Sequence, residues 1–138
     1  MQRKARPGCA VVLIISFLVM VGVYIFFAGD RIPDLVVLNN TGQKITVSMQ
    51  EKTTTVDPDS IGELKSPFYD LISIETEKNE KFNYRWVPLQ DQKYVKNYCI
   101  HLQIEADLKI YVLPFRADRV VEQLPEQPRG YPMEPRKE

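Results

Sequence analysis

The sequence has few of the residues on which most enzyme chemistry depends. It contains one histidine, two cysteines and one tryptophan among 138 residues. A hydrolytic triad would have to use that histidine, His101, and no G-x-S-x-G nucleophile turn occurs. A glycine-rich phosphate loop is also missing. We therefore expect no catalytic residues, no bound cofactor and no enzyme activity.

The same shortage restricts metal binding. Cys99 and His101 lie two residues apart on a predicted strand, so they project from one face about 7 Å apart, with Glu105 further along. A blue-copper site needs two histidines with a cysteine, and structural zinc needs four ligands. This sequence offers neither set around Cys99. We expect a thiol and an imidazole on a sheet face, with no metal bound.

Charge is balanced overall but is distributed unevenly. Lys and Arg number 18, as do Asp and Glu, and the first 29 residues contain no acidic side chain. Arg3, Lys4 and Arg6 precede the apolar segment; without them, 15 basic and 18 acidic side chains leave a net charge of −3. A mildly acidic domain repels phosphate backbones, so nucleic acid is not an expected partner.

What the sequence does contain is a long apolar run near its N-terminus. Residues 9–29 carry no charge, and a helix of that length spans about 31 Å, which matches a hydrocarbon core of about 30 Å. The basic residues before it predict that residues 1–8 are cytoplasmic. A cleaved signal would have a shorter core and a small residue at −3, where Phe26 or Phe27 would stand. We predict an uncleaved signal anchor that inserts residues 9–29 into the lipid bilayer.

This predicted membrane segment separates the two cysteines. Cys9 falls at the cytoplasmic edge and Cys99 in the domain on the other side, so they cannot pair with each other. In an oxidising compartment, Cys99 is expected either to be buried in the sheet or to form an intermolecular disulfide. A domain of about 105 residues can be stable on its hydrophobic core without such cross-links.

Beyond a spacer at residues 30–34, the hydrophobic pattern has the period of strands. Apolar and polar residues alternate in residues 45–49. A hairpin is predicted from residues 71–76 and 81–87, and a further strand from residues 108–113.

The longest predicted strand runs over residues 94–105. Its alternation predicts that Tyr98 and Ile100 share the buried face. The polar residues 53–65 are expected to form a loop, with a short edge strand at residues 61–64.

These patterns predict a mainly β domain at residues 35–114, with six or seven short strands. No helical crossover separates them, so the pairing should be mostly antiparallel. The economical solution is a small antiparallel β-sandwich, immunoglobulin-like in the loose sense, with a small barrel as the alternative. The cysteine and tryptophan spacings of true immunoglobulin domains are absent.

The period changes after Pro114. Apolar residues spaced at i, i+3, i+4 and i+7 predict a short helix at residues 115–124, namely Ala117, Val120, Val121 and Leu124. The tail at residues 125–138 has four prolines, which make a strand or helix unexpected there. We expect it to be disordered or draped over the domain as polyproline II.

Together these features predict a membrane-tethered, non-enzymatic interaction or scaffold module. The anchor would lie in the cytoplasmic (inner) membrane and cross it once, with the β-sandwich exported to the periplasm. A protein partner would bind a sheet edge or an aromatic face. The alternative is an accessory subunit of a multi-subunit membrane enzyme or transporter, and a metal or ligand carrier is a third option.

Overall fold

The computed structural model describes residues 7–29 and 32–138. The chain divides into two units, Met1–Arg31 and Ile32–Glu138. Most of the predicted cytoplasmic segment, and residues 30 and 31 of the predicted spacer, lie outside the described residues.

The first unit contains one helix, α1, at Pro7–Gly29. A proline at the first helical position is favourable, because its missing N–H would have no partner there. The span Gly8–Phe26 is long and apolar enough to cross a membrane, and none of it is buried. The helix predicted at residues 9–29 is confirmed, and its role as an anchor stays a prediction.

The second unit is built from short strands. Its described strands are β1 (Asp34–Asn40), β2 (Ile45–Met49), β3 (Lys52–Val56), β4 (Ile61–Leu64), β5 (Leu71–Thr76), β6 (Lys81–Arg85), β7 (Val95–Lys96), β8 (Cys99–Glu105), β9 (Ile110–Leu113) and β10 (Arg136–Lys137). Sheet A has the order β4-β1-β8, with β7 and β9 both paired to β8. Sheet B has the order β10-β6-β5-β2-β3. The prediction of a helix followed by a mainly β domain is confirmed.

One strand pair is parallel. β1 runs alongside β8 in the same direction, with Asp34 opposite Cys99 and Val36 opposite His101. The other described strand pairs are antiparallel. Parallel neighbours need a crossover connection, which is usually a helix. Here the strands of sheet B form most of that connection. The sequence pattern therefore gave no sign of the parallel pairing between β1 and β8.

Buried apolar side chains of both sheets form one cluster. In β2 the alternation predicted from the sequence is confirmed, because Ile45, Val47 and Met49 are all buried. They pack in the same cluster as Leu35 and Leu102 of sheet A. Burial of this kind contributes about 25 cal/mol per Å² of apolar surface, so this cluster is the main source of stability.

The strand predicted at residues 94–105 is interrupted. Asn97 and Tyr98 have φ values of 51° and 59° and form a tight turn between β7 and β8. Two residues with positive φ are what a two-residue hairpin turn needs. Tyr98 is consequently 56% exposed, so its predicted burial beside Ile100 is wrong. The Asn97-Tyr98 pair lacks the glycine that normally marks such a turn. Because the alternation of polar and apolar residues continues through it, the sequence pattern predicted one unbroken strand.

The polar stretch at residues 53–65 also differs from expectation. The edge strand predicted at residues 61–64 is confirmed as β4, but β3 was missed. β3 is a polar edge strand whose threonines face hydroxyl side chains of β2: the oxygens of Thr55 and Thr46 lie 3.2 Å apart, and those of Thr53 and Ser48 lie 3.1 Å apart. Threonine favours strands, but a mostly exposed strand has no apolar alternation to reveal it.

No helix forms at residues 115–124, so that prediction is wrong. Its apolar positions were identified correctly, because they pack on the face of sheet A opposite the main core, in a cluster made of Val36, Leu38, Leu113, Ala117, Val120, Val121 and Leu124. The buried Gln103 side chain accepts from the Val121 N–H at 2.8 Å and donates to its carbonyl at 2.9 Å. A helix this short is marginal by itself, and these bonds provide the backbone with other partners.

The proline-rich tail packs against both sheets. The Gln127 amide accepts from the Val112 N–H at 2.9 Å and donates to the Val112 carbonyl at 3.0 Å. Met133 exchanges backbone hydrogen bonds with Ile110, and β10 pairs with β6. The tail therefore covers the outer edges of β9 and β6, and it contains a short strand that its composition did not predict.

Replacing Gln103 with leucine should release the segment at residues 114–124. The Gln103→Leu variant leaves the Val121 N–H and carbonyl without their partners, so we expect the free energy of unfolding to fall by about 1–3 kcal/mol. Trypsin should cleave the variant faster after Arg116 and Arg119. The exposed Gln90 provides the matched Gln90→Leu control. Equal cleavage rates in the two variants would show that Gln103 does not hold the segment.

Candidate functional site

The pairing of β1 with its two neighbours gathers ionisable side chains on the outer face of sheet A. Asp34 stands opposite Cys99 of β8, and Val36 stands between Glu63 of β4 and His101 of β8. Side chains alternate between the two faces of a sheet, so all five project from the same face. We call the four polar ones, Asp34, Glu63, Cys99 and His101, the sheet A cluster.

Three atoms of the sheet A cluster lie close together. One carboxylate oxygen of Asp34, one of Glu63 and the sulfur of Cys99 are all within 4.8 Å of one another. Asp34 and Cys99 are half-buried, and Glu63 is exposed. Cys99 has no disulfide partner and is a free thiol. Two acids and a thiol therefore share one small part of the surface.

Lys65 supplies the local counter-charge. Its Nζ lies 2.6 Å from an oxygen of Glu63 and 3.4 Å from one of Asp34. Because the Lys65 side chain is 71% exposed, these ion pairs are screened and contribute little stability. The second oxygen of Asp34 accepts from the backbone N–H of Ser66 at 2.8 Å. That hydrogen bond, with help from Lys65, holds the pKa of Asp34 below its usual value.

His101 is the buried member of the sheet A cluster, at 4% exposed. It lines a pocket of about 380 Å³ together with Cys99, Glu63 and Arg116. Burial lowers the pKa of the imidazole, Arg116 lowers it further and Glu63 opposes the shift. Among the described residues, no hydrogen bond is made to its ring.

Sequence reasoning found half of this cluster. Cys99 and His101 do line the same pocket, as their spacing predicted. Glu105 takes no part, because it accepts from Asn40 at 2.8 Å at the far end of β8. The sequence pattern places Asp34 in the spacer and Glu63 in the edge strand predicted at residues 61–64. The alternation in β4 places Glu63 on a face, but its nearness to Cys99 depends on strand pairing that no local pattern encodes.

The cluster lacks the contact that thiol catalysis requires. Activated cysteines are normally hydrogen-bonded to their general base. No hydrogen bond joins Cys99 to His101 within residues 32–138.

The aromatic side chains divide into buried and exposed groups. Tyr84 and Tyr131 are buried, and Trp86 packs against Tyr69 in a tilted arrangement with ring centroids 4.6 Å apart. Burial raises the pKa of Tyr84 and of Tyr131. Phe68, at 59% exposed, Tyr98 and Phe115 remain on the surface of the domain. The aromatic residues open to a partner are therefore few.

Phe68 and Tyr98 belong to the same end of the domain. The Tyr98 carbonyl accepts from the N–H of Asp34 at 2.7 Å, and Ser66, two residues before Phe68, donates to the Asp34 carboxylate. We call this end of the domain, which contains Asp34, Ser66, Phe68 and Tyr98, the aromatic end. Lys78, in the turn after β5, lies at the opposite end.

Comparisons of this chain with protein-family models, with curated proteins and with solved structures find no match.

The buried imidazole predicts a pH-dependent stability. Since the folded pKa of His101 lies below its unfolded value of 6.5, the unfolded state binds more protons as the solution is acidified. The stability associated with the neutral ring is present above pH 6.5 and is lost as the pH falls below it. Urea unfolding in EDTA, followed by Trp86 fluorescence, should show this loss of stability as the pH is lowered below 6.5.

The His101→Gln variant is the control for this prediction. His101 is the single histidine of the chain, so no other imidazole contributes. The variant should lose most of the pH dependence in that window. An unchanged slope would assign the dependence to carboxylates instead.

Proposed function

We propose that this protein is a membrane-tethered, non-enzymatic interaction module. An uncleaved N-terminal helix anchors it in a cytoplasmic membrane, with its basic N-terminus in the cytoplasm. A β-sandwich on the periplasmic side then binds a protein partner. The observation that carries the proposal is α1: its span Gly8–Phe26 is uncharged, long enough for a bilayer and entirely unburied. Such a surface needs lipid or other helices around it.

The sandwich arrangement is supported by the contact between sheets. Both sheets contribute to one buried cluster. Where β3 and β4 meet, a methyl group added at Gly62 would lie 2.4 Å from Val56 Cγ2, so the Gly62 backbone packs directly against the Val56 side chain. The loop between β3 and β4 connects the two sheets at one side. At the other side, the tail covers β9 of sheet A and β6 of sheet B. Two packed sheets are the usual solution for such strands.

A partner is better accommodated by a face than by an edge. Exposed strand edges attract further strands, and proteins often cover them. The tail covers β9 and β6, and the aromatic end exposes the large side chains of Phe68 and Tyr98, so we prefer this end as the partner surface. Exposed aromatic residues are enriched at the centres of protein interfaces. We therefore assign Phe68 and Tyr98 to the partner contact, with an apolar patch of a protein as their target.

The absence of a nucleophile–base contact at Cys99 supports a binding role. Nucleic acid remains disfavoured as the partner, because the chain beyond residue 29 has a net charge of −3.

A topology experiment tests the anchor. The protein purified from bacterial membranes should retain residues 1–29 by intact mass, and alkaline extraction should leave it in the membrane. β-Lactamase fused after Glu138 should protect cells from ampicillin, because the enzyme works only in the periplasm. A mature protein that begins near residue 28, or an inactive fusion, would contradict the proposal.

Site-specific photo-cross-linking tests the partner surface. A photo-reactive benzoyl-phenylalanine in place of Phe68 or Tyr98 should give a discrete protein adduct in intact membranes. The same group in place of Lys78, at the opposite end of the domain, should not. Equal adducts at all three positions, or none at 68 and 98, would count against the aromatic end.

Exchanging the anchor separates a tether from an accessory subunit. When residues 9–29 are replaced by an unrelated membrane span, a tether should keep its adduct at position 68. Loss of the adduct would favour the subunit reading, in which α1 packs against helices of a larger membrane enzyme or transporter.

A further inference from the structure

We propose that the sheet A cluster is a binding site for a divalent metal ion of the borderline class, best fitted by Zn²⁺. The ligands are the Cys99 thiolate, the carboxylates of Asp34 and Glu63, and the imidazole of His101. The inference goes beyond the proposed function, because a tethered binding module needs no metal.

The spacing of three ligand atoms supports the site. Zinc bonds of about 2.0–2.3 Å in tetrahedral geometry separate ligand atoms by roughly 3.5 Å. The cluster atoms of Asp34, Glu63 and Cys99 are already within 4.8 Å of one another. Glu63 is exposed, so a rotation of its side chain closes much of the difference. The site therefore needs side-chain movement and no change in strand pairing.

The chemistry of the ligands selects the metal. A thiolate and an imidazole beside two carboxylates suit Zn²⁺. Calcium and magnesium prefer oxygen ligands throughout, and sulfur does not serve them. The sheet A cluster should therefore bind Zn²⁺ much more tightly than Ca²⁺ or Mg²⁺.

His101 is the independent sign of a ligand. It is almost fully buried, yet its ring makes no hydrogen bond within the described residues. Its ring nitrogens are not among the fully enclosed side-chain atoms that lack a hydrogen-bond partner, so they are open to the pocket, where an ion could bind. Its ring lines the pocket shared with Cys99 and Glu63. Residues i and i+2 of a strand lie about 7 Å apart, and both side chains can reach an ion placed between them.

Lys65 competes with the metal for the carboxylates. Its ammonium group pairs with Asp34 and Glu63, and a bound ion would displace it. Displacement costs little, because the side chain is largely exposed. Lys96 and Arg116 also line the pocket and oppose a cation. We therefore expect an affinity weaker than that of a buried structural zinc site, and one that rises when Lys65 is removed.

The test uses the full-length chain in detergent micelles, reduced and stripped with EDTA, with Zn²⁺ alone as the probe. Titration should saturate at one ion per chain. Co²⁺ should give a thiolate-to-metal charge-transfer band. Cys99→Ser should abolish that band and weaken Zn²⁺ binding by at least about tenfold, since even changes behind the ligands cost 10–100-fold. Asp34→Asn, Glu63→Gln and His101→Gln should each weaken binding.

Two matched controls identify the site. Cys9→Ser, at the other thiol, should leave the cobalt band unchanged. Lys65→Met should tighten Zn²⁺ binding, whereas Lys44→Met, which removes a lysine paired to the distant Asp57, should not. Circular dichroism of each metal-free variant confirms that it is folded.

Three results would overturn the proposal: no saturable binding at one ion per chain, a cobalt band that survives Cys99→Ser, or equal Zn²⁺ affinity in Lys65→Met and Lys44→Met. Unchanged affinity in folded His101→Gln would overturn the four-ligand site. None of these outcomes affects the proposed function, which the topology and cross-linking experiments test separately.

Discussion

The parallel pairing of β1 with β8 is the contact on which the rest of the domain depends. It places the first strand of the domain beside its longest late strand, and β4 then pairs on the other side of β1. This arrangement makes β1 and β8 the central strands of sheet A. It also brings Asp34 next to Cys99, and Glu63 into the row of His101. Without this pairing neither the core nor the sheet A cluster exists.

A central strand must be covered on both faces, and the C-terminal quarter of the chain provides that cover. One face of β8 joins the main core, and the other lies beneath the segment at residues 114–124. Gln103 is fully buried there, so its amide needs partners, and Val121 supplies them. The tail beyond covers β9 and β6. A composition rich in proline suits this role, since proline has no N–H to offer a further strand.

Features that depend on residues close together in sequence could be predicted, and features that depend on contacts between distant residues could not. Hydrophobic periodicity is local, so β2, the hairpin of β5 and β6, and the apolar contact positions 117, 120, 121 and 124 could be predicted. The helix at residues 115–124 failed because Gln103, distant in sequence, provides the backbone partners. Asp34 and Glu63 escaped notice for a similar reason: pairing between distant strands brings them to Cys99.

The same hydrogen bonds that shape the sheet A cluster also hold the aromatic end. Asp34 donates its N–H to the Tyr98 carbonyl and accepts from Ser66, which leads into Phe68. The turn that contains Tyr98 and the segment that leads from Ser66 to Phe68 are therefore both held by Asp34. An ion bound through that carboxylate, as proposed above, would share it with Ser66. Occupancy of the metal site and the geometry of the partner surface are then linked, and by thermodynamic reciprocity each would alter the affinity of the other.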